Sequence, residues 1–300
     1  MITDFWTYPN SQTYLDPHIL SAYNTFMIDS RTPSTNGDLI FLKLGGSLIT
    51  DKLTPRTARE DLIASISREI AQALEDNPSI QIVLGHGSGS FGHYSGKKHG
   101  TREGVSDLEG WKGFAEVWHD AATLNQLVMD GLRKANLPAV AFPPSASVFS
   151  IAGKITSWDL APIQSALDNQ LLPVIYGDVV FDTLIGGTIL STEDLFIHLA
   201  HFIKPAKILL AGLDQGVWED YPDCTKLIQT ITPDIYPDLM ARISSSDAPD
   251  VTGGMKSKVE QMLQLVSQIQ DLKILIFSGN EPGNIIKALQ GINEGTMLQS

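Results

Sequence analysis

Ile80-Gln81-Ile82-Val83-Leu84-Gly85-His86-Gly87-Ser88-Gly89-Ser90-Phe91-Gly92-His93 is the stretch on which the reading of this chain turns. Ile80 to Leu84 is a short apolar run bounded by glycine, which predicts a buried strand. Gly85, Gly87, Gly89 and Gly92 then free the backbone to turn sharply. Peptide N–H groups in such a loop can converge on an anion. His86 and His93 bracket the loop. Glycines alone suggest a phosphate cradle; a histidine at the far end suggests that something is done to the phosphate.

Around this loop, strand and helix signals alternate. Strands are predicted at Leu39–Leu44, Ile80–Leu84, Ala139–Phe142, Leu171–Tyr176, Ile208–Ala211 and Lys273–Phe277. Helices are predicted at Ala58–Leu74, Trp111–Lys134, Leu160–Asn169, Thr192–Phe202, Lys256–Gln270 and Asn284–Leu289. Such alternation argues for an α/β fold, a three-layer αβα sandwich around a mainly parallel sheet covered on both faces. Asp178–Ile189 contains Gly186-Gly187 and reads as an inserted hairpin. Residues 1–37 stand apart as an N-terminal extension and linker, carrying Trp6, Tyr8, Tyr14, Tyr23 and Phe26 before a polar stretch. They read either as a segment packed on the body or a partner, or as a partly ordered tail. The body spans 38–300.

Composition narrows the function classes. The 300 residues carry a formal net charge of −13, with 43% apolar and 18% charged residues. That acidity argues against a protein that coats nucleic acid or an anionic membrane. Cys224 is the one cysteine, so no internal disulfide framework exists, which fits a reducing cytoplasm. No apolar run is long enough to span a bilayer. The absence of Lys or Arg before Arg31 argues against a signal peptide.

Four elements suit a nucleotide or phosphate. Lys43-Leu44-Gly45-Gly46-Ser47 ends the first body strand, where open α/β sheets bind ligands; a plain strand-to-helix turn is the alternative. Gly87-Ser88-Gly89-Ser90-Phe91-Gly92 satisfies the dinucleotide spacing G-x-G-x-x-G. That fingerprint also requires a helix opening at once and an acidic strand end about 20 residues on. Ser95 to Gly110 reads as a polar, strandless loop containing Glu109, so a dehydrogenase is disfavoured. Gly96-Lys97 fails the P-loop pattern because Phe91 and Lys98 stand at its required positions. Lys97, Lys98 and His99 read instead as a solvated patch. The third element, Ser191-Thr192-Glu193-Asp194, opens a helix with Thr192 as candidate N-cap. The fourth, Asp250-Val251-Thr252-Gly253-Gly254-Met255-Lys256-Ser257-Lys258, places lysines where they oppose the helix dipole. A bound anion would offset that cost.

In this order these elements resemble the amino acid kinase superfamily, over about Leu39 to Leu298. Within it, three features resemble the isopentenyl phosphate kinases. They are Lys43-Leu44-Gly45-Gly46-Ser47-Leu48-Ile49-Thr50-Asp51-Lys52, the loop Gly87 to His93, and the pair Tyr176-Gly177-Asp178-Val179 and Asp250 to Met255. Ser88 departs from the Gly or Ala of many members. Ala211-Gly212-Leu213-Asp214-Gln215-Gly216-Val217-Trp218 departs at two positions from the adenine-site pattern Thr-Asp-Val-Asp-Gly-Ile-Tyr.

The resemblance implies γ-phosphoryl transfer from ATP, with Mg²⁺, to a small isoprenoid monophosphate. It implies an acceptor-binding half up to about residue 180 and a nucleotide-binding half after it, and a homodimer. Lys43 and Lys258 would neutralise the transferring phosphoryl oxygens, Lys52 would lie near the ATP phosphates, and Asp194 would orient the lysines. His93 would hydrogen-bond the acceptor phosphate, adding charge as imidazolium. Gly45, Gly46, Ser47, Gly89, Asp214, Gly216 and Gly254 would meet the nucleotide, and Ser88, Gly89 and Gly177 the acceptor. His86 is open between bracing the loop and touching ligand. Phe114, Val117, Trp118 and Ala121 offer an apolar slot for the tail, or ordinary core. The rival readings are a kinase of another phosphate or phosphonate, like the fosfomycin kinases, and a non-catalytic nucleotide-binding protein on the same fold.

Overall fold

Leu39–Leu44 becomes a central strand because its alternate side chains all find apolar cover. Ile40, Leu42 and Leu44 enter one buried cluster and Phe41 the other, the pattern of a strand covered on both faces. The computed structural model describes residues 39–245 and 253–300. The extension at 1–37 and Asp250 to Thr252 of the late glycine motif lie outside the described residues. The elements run β1 (Leu39–Leu44), α1 (Gly46–Ile49), α2 (Glu60–Asp76), β2 (Gln81–His86), α3 (Gly89–His99), α4 (Leu108–Lys134), β3 (Ala139–Ala141), β4 (Val148–Ile151), β5 (Lys154–Trp158), α5 (Ala161–Asp168), β6 (Leu172–Tyr176), β7 (Asp178–Asp182), β8 (Gly186–Leu190), α6 (Thr192–Ile203), β9 (Lys207–Gly212), β10 (Thr230–Ile231), α7 (Tyr236–Ser245), α8 (Gly253–Gln268), β11 (Lys273–Ser278), α9 (Asn284–Leu289) and β12 (Gly295–Leu298).

An eight-stranded sheet has the order β10-β12-β11-β9-β1-β2-β6-β3. Neighbours from β11 to β3 are parallel, and β12 runs antiparallel to β11. From β1 the chain builds β2, β6 and β3 on one side and later β9 and β11 on the other. The β1/β9 boundary is therefore a topological switch point, where a crevice opens beyond the strand ends. On one face Ile63, Ile66 and Ile70 of α2 pack with Leu124 and Val128 of α4 and Ile285 of α9. On the other, Leu195, Phe196 and Leu199 of α6 pack with Val259, Met262 and Val266 of α8. These faces and the sheet make the three layers.

A second sheet, β5-β4-β7-β8, contains the expected hairpin as β7 and β8, paired antiparallel from Asp178↔Leu190 to Asp182↔Gly186. Its other strands, β4 and β5, and the edge strands β10 and β12 were not among the sequence expectations. Nor was α3, which occupies the far half of the glycine loop and part of the supposed Ser95–Gly110 loop. Glu109 likewise lies in the first turn of α4, not in a loop. The helix demanded by the dinucleotide fingerprint thus does open at Gly89. The acidic strand end is still missing, because α4 occupies that stretch and the next strand is β3.

Candidate active site

Lys43, near the end of β1, stands in register with Gly85 of β2 and Leu210 of β9. Two residues after Phe41, it leaves the sheet on the α6 face. Its Nζ lies 2.6 Å from Glu193 Oε1 in the first turn of α6. Lys43 is only 7% exposed, and a buried ammonium needs such a counter-charge. Burial pushes the Glu193 pKa up, but the charge and hydrogen bond of Lys43, with the charge of Lys258, bring it below the ordinary value. Lys258 on α8 is held below its usual range by burial and by Lys43 and Lys52, while Glu193 and Asp214 oppose them. Lys43, Lys52 and Lys258 therefore share one field with two carboxylates, Glu193 and Asp214.

His93, one turn into α3, looks onto the same field. Crowding in the cleft lowers its pKa first, then Lys43 and Arg102, with Glu193 acting the other way. Its ring keeps solvent access. These surroundings work against the imidazolium while no anion is bound, and the neutral ring offers one N–H donor.

The two glycine loops meet. A Cβ built on Gly46 would come 2.6 Å from Gly89 Cα, and one built on Gly89 would come 2.6 Å from the Gly46 carbonyl oxygen. Gly89 also has φ +48, a left-handed conformation that disfavours a side chain. Thr50 ties the loops further: its hydroxyl donates to Gly46 O at 2.7 Å and accepts from Ser90 N at 3.0 Å. Ser88 takes the N-cap position of α3 without a side-chain cap bond. Two expected donors are otherwise engaged. Gly45 N donates to Ala211 O at 2.8 Å and Gly177 N to His86 O at 3.1 Å.

His86 is fully buried. Its Nε2 is 3.1 Å from Asn125 Oδ1, and its ring stacks on Tyr176 at 5.3 Å. Its carbonyl also accepts from the Thr192 hydroxyl at 2.6 Å. One residue thus fastens the ends of β2 and β6 to the start of α6, which is the bracing role.

Several expectations need correction. Ser191, not Thr192, is the N-cap of α6, and Asp194 completes its capping box by accepting from Ser191 N at 2.8 Å. Asp194 does not orient the lysines; Glu193 is the carboxylate that meets Lys43. The spacing Ser191-x-x-Asp194 carried that signal, because a capping box consumes the acid at its third position and leaves its neighbour free. Asp194 has a second partner, Arg102, at 3.6 Å; no motif pointed to Arg102. Lys98 is ion-paired to Glu116 and His99 Nε2 lies 2.7 Å from the same carboxylate, so neither is merely solvated. Trp118 is 45% exposed and leaves the apolar face of α4, whereas Phe114 and Val117 pack with Val105 and Val179. Gly216 is buried against Thr296 of β12, while Asp214 is exposed and Gly254 has open space around it. Ser47 lies in the first turn of α1.

The pattern of the Amino acid kinase family matches residues 38–278. The chain belongs to the amino acid kinase family. Its relatives within that family are consistent in kind. An isopentenyl phosphate kinase of Methanocaldococcus jannaschii is 34% identical over 266 residues, covering 87% of this chain and 98% of that protein. One of Methanothermobacter thermautotrophicus is 33% identical, over 84% of this chain and 96% of that protein. A solved isopentenyl phosphate kinase structure superposes with a TM-score of 0.73 at 29% identity, covering 87% of this chain and all of that one. The amino acid kinase fold is therefore present in sequence and in architecture.

Proposed function

We propose that the chain transfers the γ-phosphoryl group of ATP to the phosphate of isopentenyl phosphate, giving isopentenyl diphosphate and ADP. The convergence of Lys43, Lys258 and His93 around Glu193, at the carboxyl ends of the central strands, carries this reading. The isopentenyl phosphate kinases to which the chain is similar supply the acceptor. The attacking oxygen already belongs to an anion, so no strong base is required. It forms a bond to the γ-phosphorus as the bond to the β-phosphate oxygen breaks. The difficulty is repulsion between two polyanions, and the remedy is positioning and compensating charge.

In this reading Lys43 and Lys258 face the transferring phosphoryl oxygens, and Glu193 anchors Lys43 and offsets the repulsion between the two ammonium groups. Lys52 and Asp214 flank the nucleotide. The start of α3, with Ser88, Gly89 and His93, receives the acceptor phosphate. A bound dianion would favour the protonated His93, opposing the depression caused by burial and then by Lys43 and Arg102. Mg²⁺ enters with ATP, held by phosphate oxygens and water. Among the described residues no group of three His, Cys, Asp or Glu could hold a metal, and no helix is long and apolar enough to cross a membrane. Action as a cytoplasmic homodimer belongs to the same proposal; the dimer rests on the family resemblance and the compartment on the single cysteine.

An acceptor panel with ATP tests the reading. Isopentenyl phosphate is expected to turn over faster than short alkyl phosphates and phosphonates; rapid phosphonate turnover beside negligible isopentenyl phosphate turnover overturns it. His93→Ala is expected to lower turnover at least tenfold, about 1.4 kcal/mol of transition-state stabilisation. Wild-type turnover in that variant would remove His93 from the role.

A further inference from the structure

The loop between β1–α1 and α2 carries Lys52, yet little apolar packing holds it. Residues 52–57 are all exposed, and Leu53 is 93% exposed. Its base is closed by the Thr50↔Ala58 bridge and by Asp51 N donating to Thr57 O at 2.9 Å. The Asp51 carboxylate accepts from Leu53 N at 2.8 Å and from the Thr54 hydroxyl. These bonds shape the loop locally. They do not set its position against the rest of the cleft.

Arg56 does that. Its Nε donates to Asp120 Oδ1 at 2.7 Å and its Nη2 to Asp120 Oδ2 at 2.9 Å, a bidentate fork that fixes direction as well as distance. Nη2 also reaches Glu116 Oε1 at 3.0 Å. Asp120 is buried in the flank of α4, so the arginine also supplies the counter-charge that a buried carboxylate requires. The Arg56 backbone N donates to Ser90 O at 3.3 Å in the first turn of α3, three residues before His93. Its guanidinium lies 5.9 Å from the Tyr94 ring centre. Arg56 adopts φ +53, a conformation that non-glycine residues keep only where the surroundings over-determine it.

We propose that Arg56 is a positioning residue: clasped to Asp120 and Glu116, it fixes the Lys52 loop against the first turn of α3, and so sets where Lys52 stands relative to the bound ATP phosphates. The proposal rests on the phosphoryl-transfer reading above, and its test does not need the acceptor to be right. Affinity for MgATP is measured by calorimetry for the wild type, Arg56→Ala, Lys52→Ala and the double variant. Arg56→Ala is expected to weaken MgATP binding about fivefold to tenfold in the wild-type background, and less than twofold in the Lys52→Ala background, because the clasp acts through Lys52. Equal losses in both backgrounds, or no loss in the first, overturn the proposal. Arg56→Lys, which keeps the charge but not the fork, is expected to recover only part of the affinity. If Arg56→Ala does not fold, Asp120→Asn replaces it in the same cycle with the same two outcomes. Turnover of isopentenyl phosphate, followed in parallel, separates the questions: its absence in the wild type rejects the acceptor while the affinity cycle still judges the clasp.

Discussion

The two ends of β7 carry two aspartates that solvent barely reaches. Asp178 is 1% exposed and Asp182 is 3% exposed, yet their surroundings push their pKa values in opposite directions. Burial raises the Asp178 pKa to about 6, against bonds from the Ser145 side chain and from Val179 N and Ser145 N. Burial also pushes Asp182 upward, but there the amides of Gly153, Ile185 and Leu184 and the Ser150 hydroxyl carry it well below the carboxylate range. Ala152 N adds a fifth donor. Asp182 is covered by two surface turns rather than by depth of core, since Ala152, Thr183 and Leu184 around it are exposed. Depth of burial and the number of donors together decide whether an enclosed acid is a fastener or a burden. Asp182 sews the β4–β5 turn to the β7–β8 turn. Glu193 adds a third kind, an acid whose pKa is lowered mainly by ammonium groups, against the push of burial.

If that distinction holds, removing the fastener has the largest effect. Asp182→Ala leaves up to five donors without their acceptor, and is expected to cost about 4 kcal/mol of stability by chemical denaturation. A loss below about 1 kcal/mol would show that water replaces the carboxylate freely. Glu193→Gln should act on chemistry instead. Turnover is expected to fall about 100-fold, near 2.7 kcal/mol, because the lysines lose the charge that anchors Lys43 and offsets their repulsion, while the melting temperature changes little. The reverse result would make Glu193 a structural acid like Asp182.

Asp178 predicts a gain. Its folded pKa of about 6 exceeds the ordinary 3.8, so the folded state binds the proton more tightly and stability falls as pH rises through that window. Asp178→Asn is therefore expected to be more stable than wild type by about 2 kcal/mol at pH 7.5 and no more stable at pH 4. A gap independent of pH would contradict the buried-acid account. The smallest effect is at the cap of α6: Ser191→Ala is expected to cost about 1 kcal/mol with turnover retained, since Asp194 serves the helix end and not the lysines.

What could be read from sequence follows the same physics. Leu39–Leu44 and Lys273–Phe277 were legible because strands covered on both faces are written as continuous apolar runs. The strand β4 was not, because it buries Val148 and Ser150 and exposes Phe149 and Ile151. Its inward polar residue exists to meet Asp182, at 2.7 Å, a partner thirty-two positions away. The helix α3 was hidden by Gly89, Gly92 and Gly96, each costing helix propensity; Phe91 and Ser95, one turn apart and buried, were the remaining trace. In the site, Lys43, Lys258 and His93 stood out through glycine context. Glu193 was masked by its neighbour, since choosing between adjacent acids requires knowing which one the helix end consumes. Arg102 and Arg56 act through contacts distant in sequence, which no local pattern records.

The crossing of Gly46 over Gly89 works as a gauge block. Two backbones in hard contact cannot approach further, and the Thr50 hydroxyl keeps them from drifting apart. If one loop carries the phosphoryl donor and the other its acceptor, the gap to be jumped is machined into the main chain and not left to side-chain choice. Walls around a tail can then be recut for other alcohol-derived phosphates without resetting the stroke of the transfer.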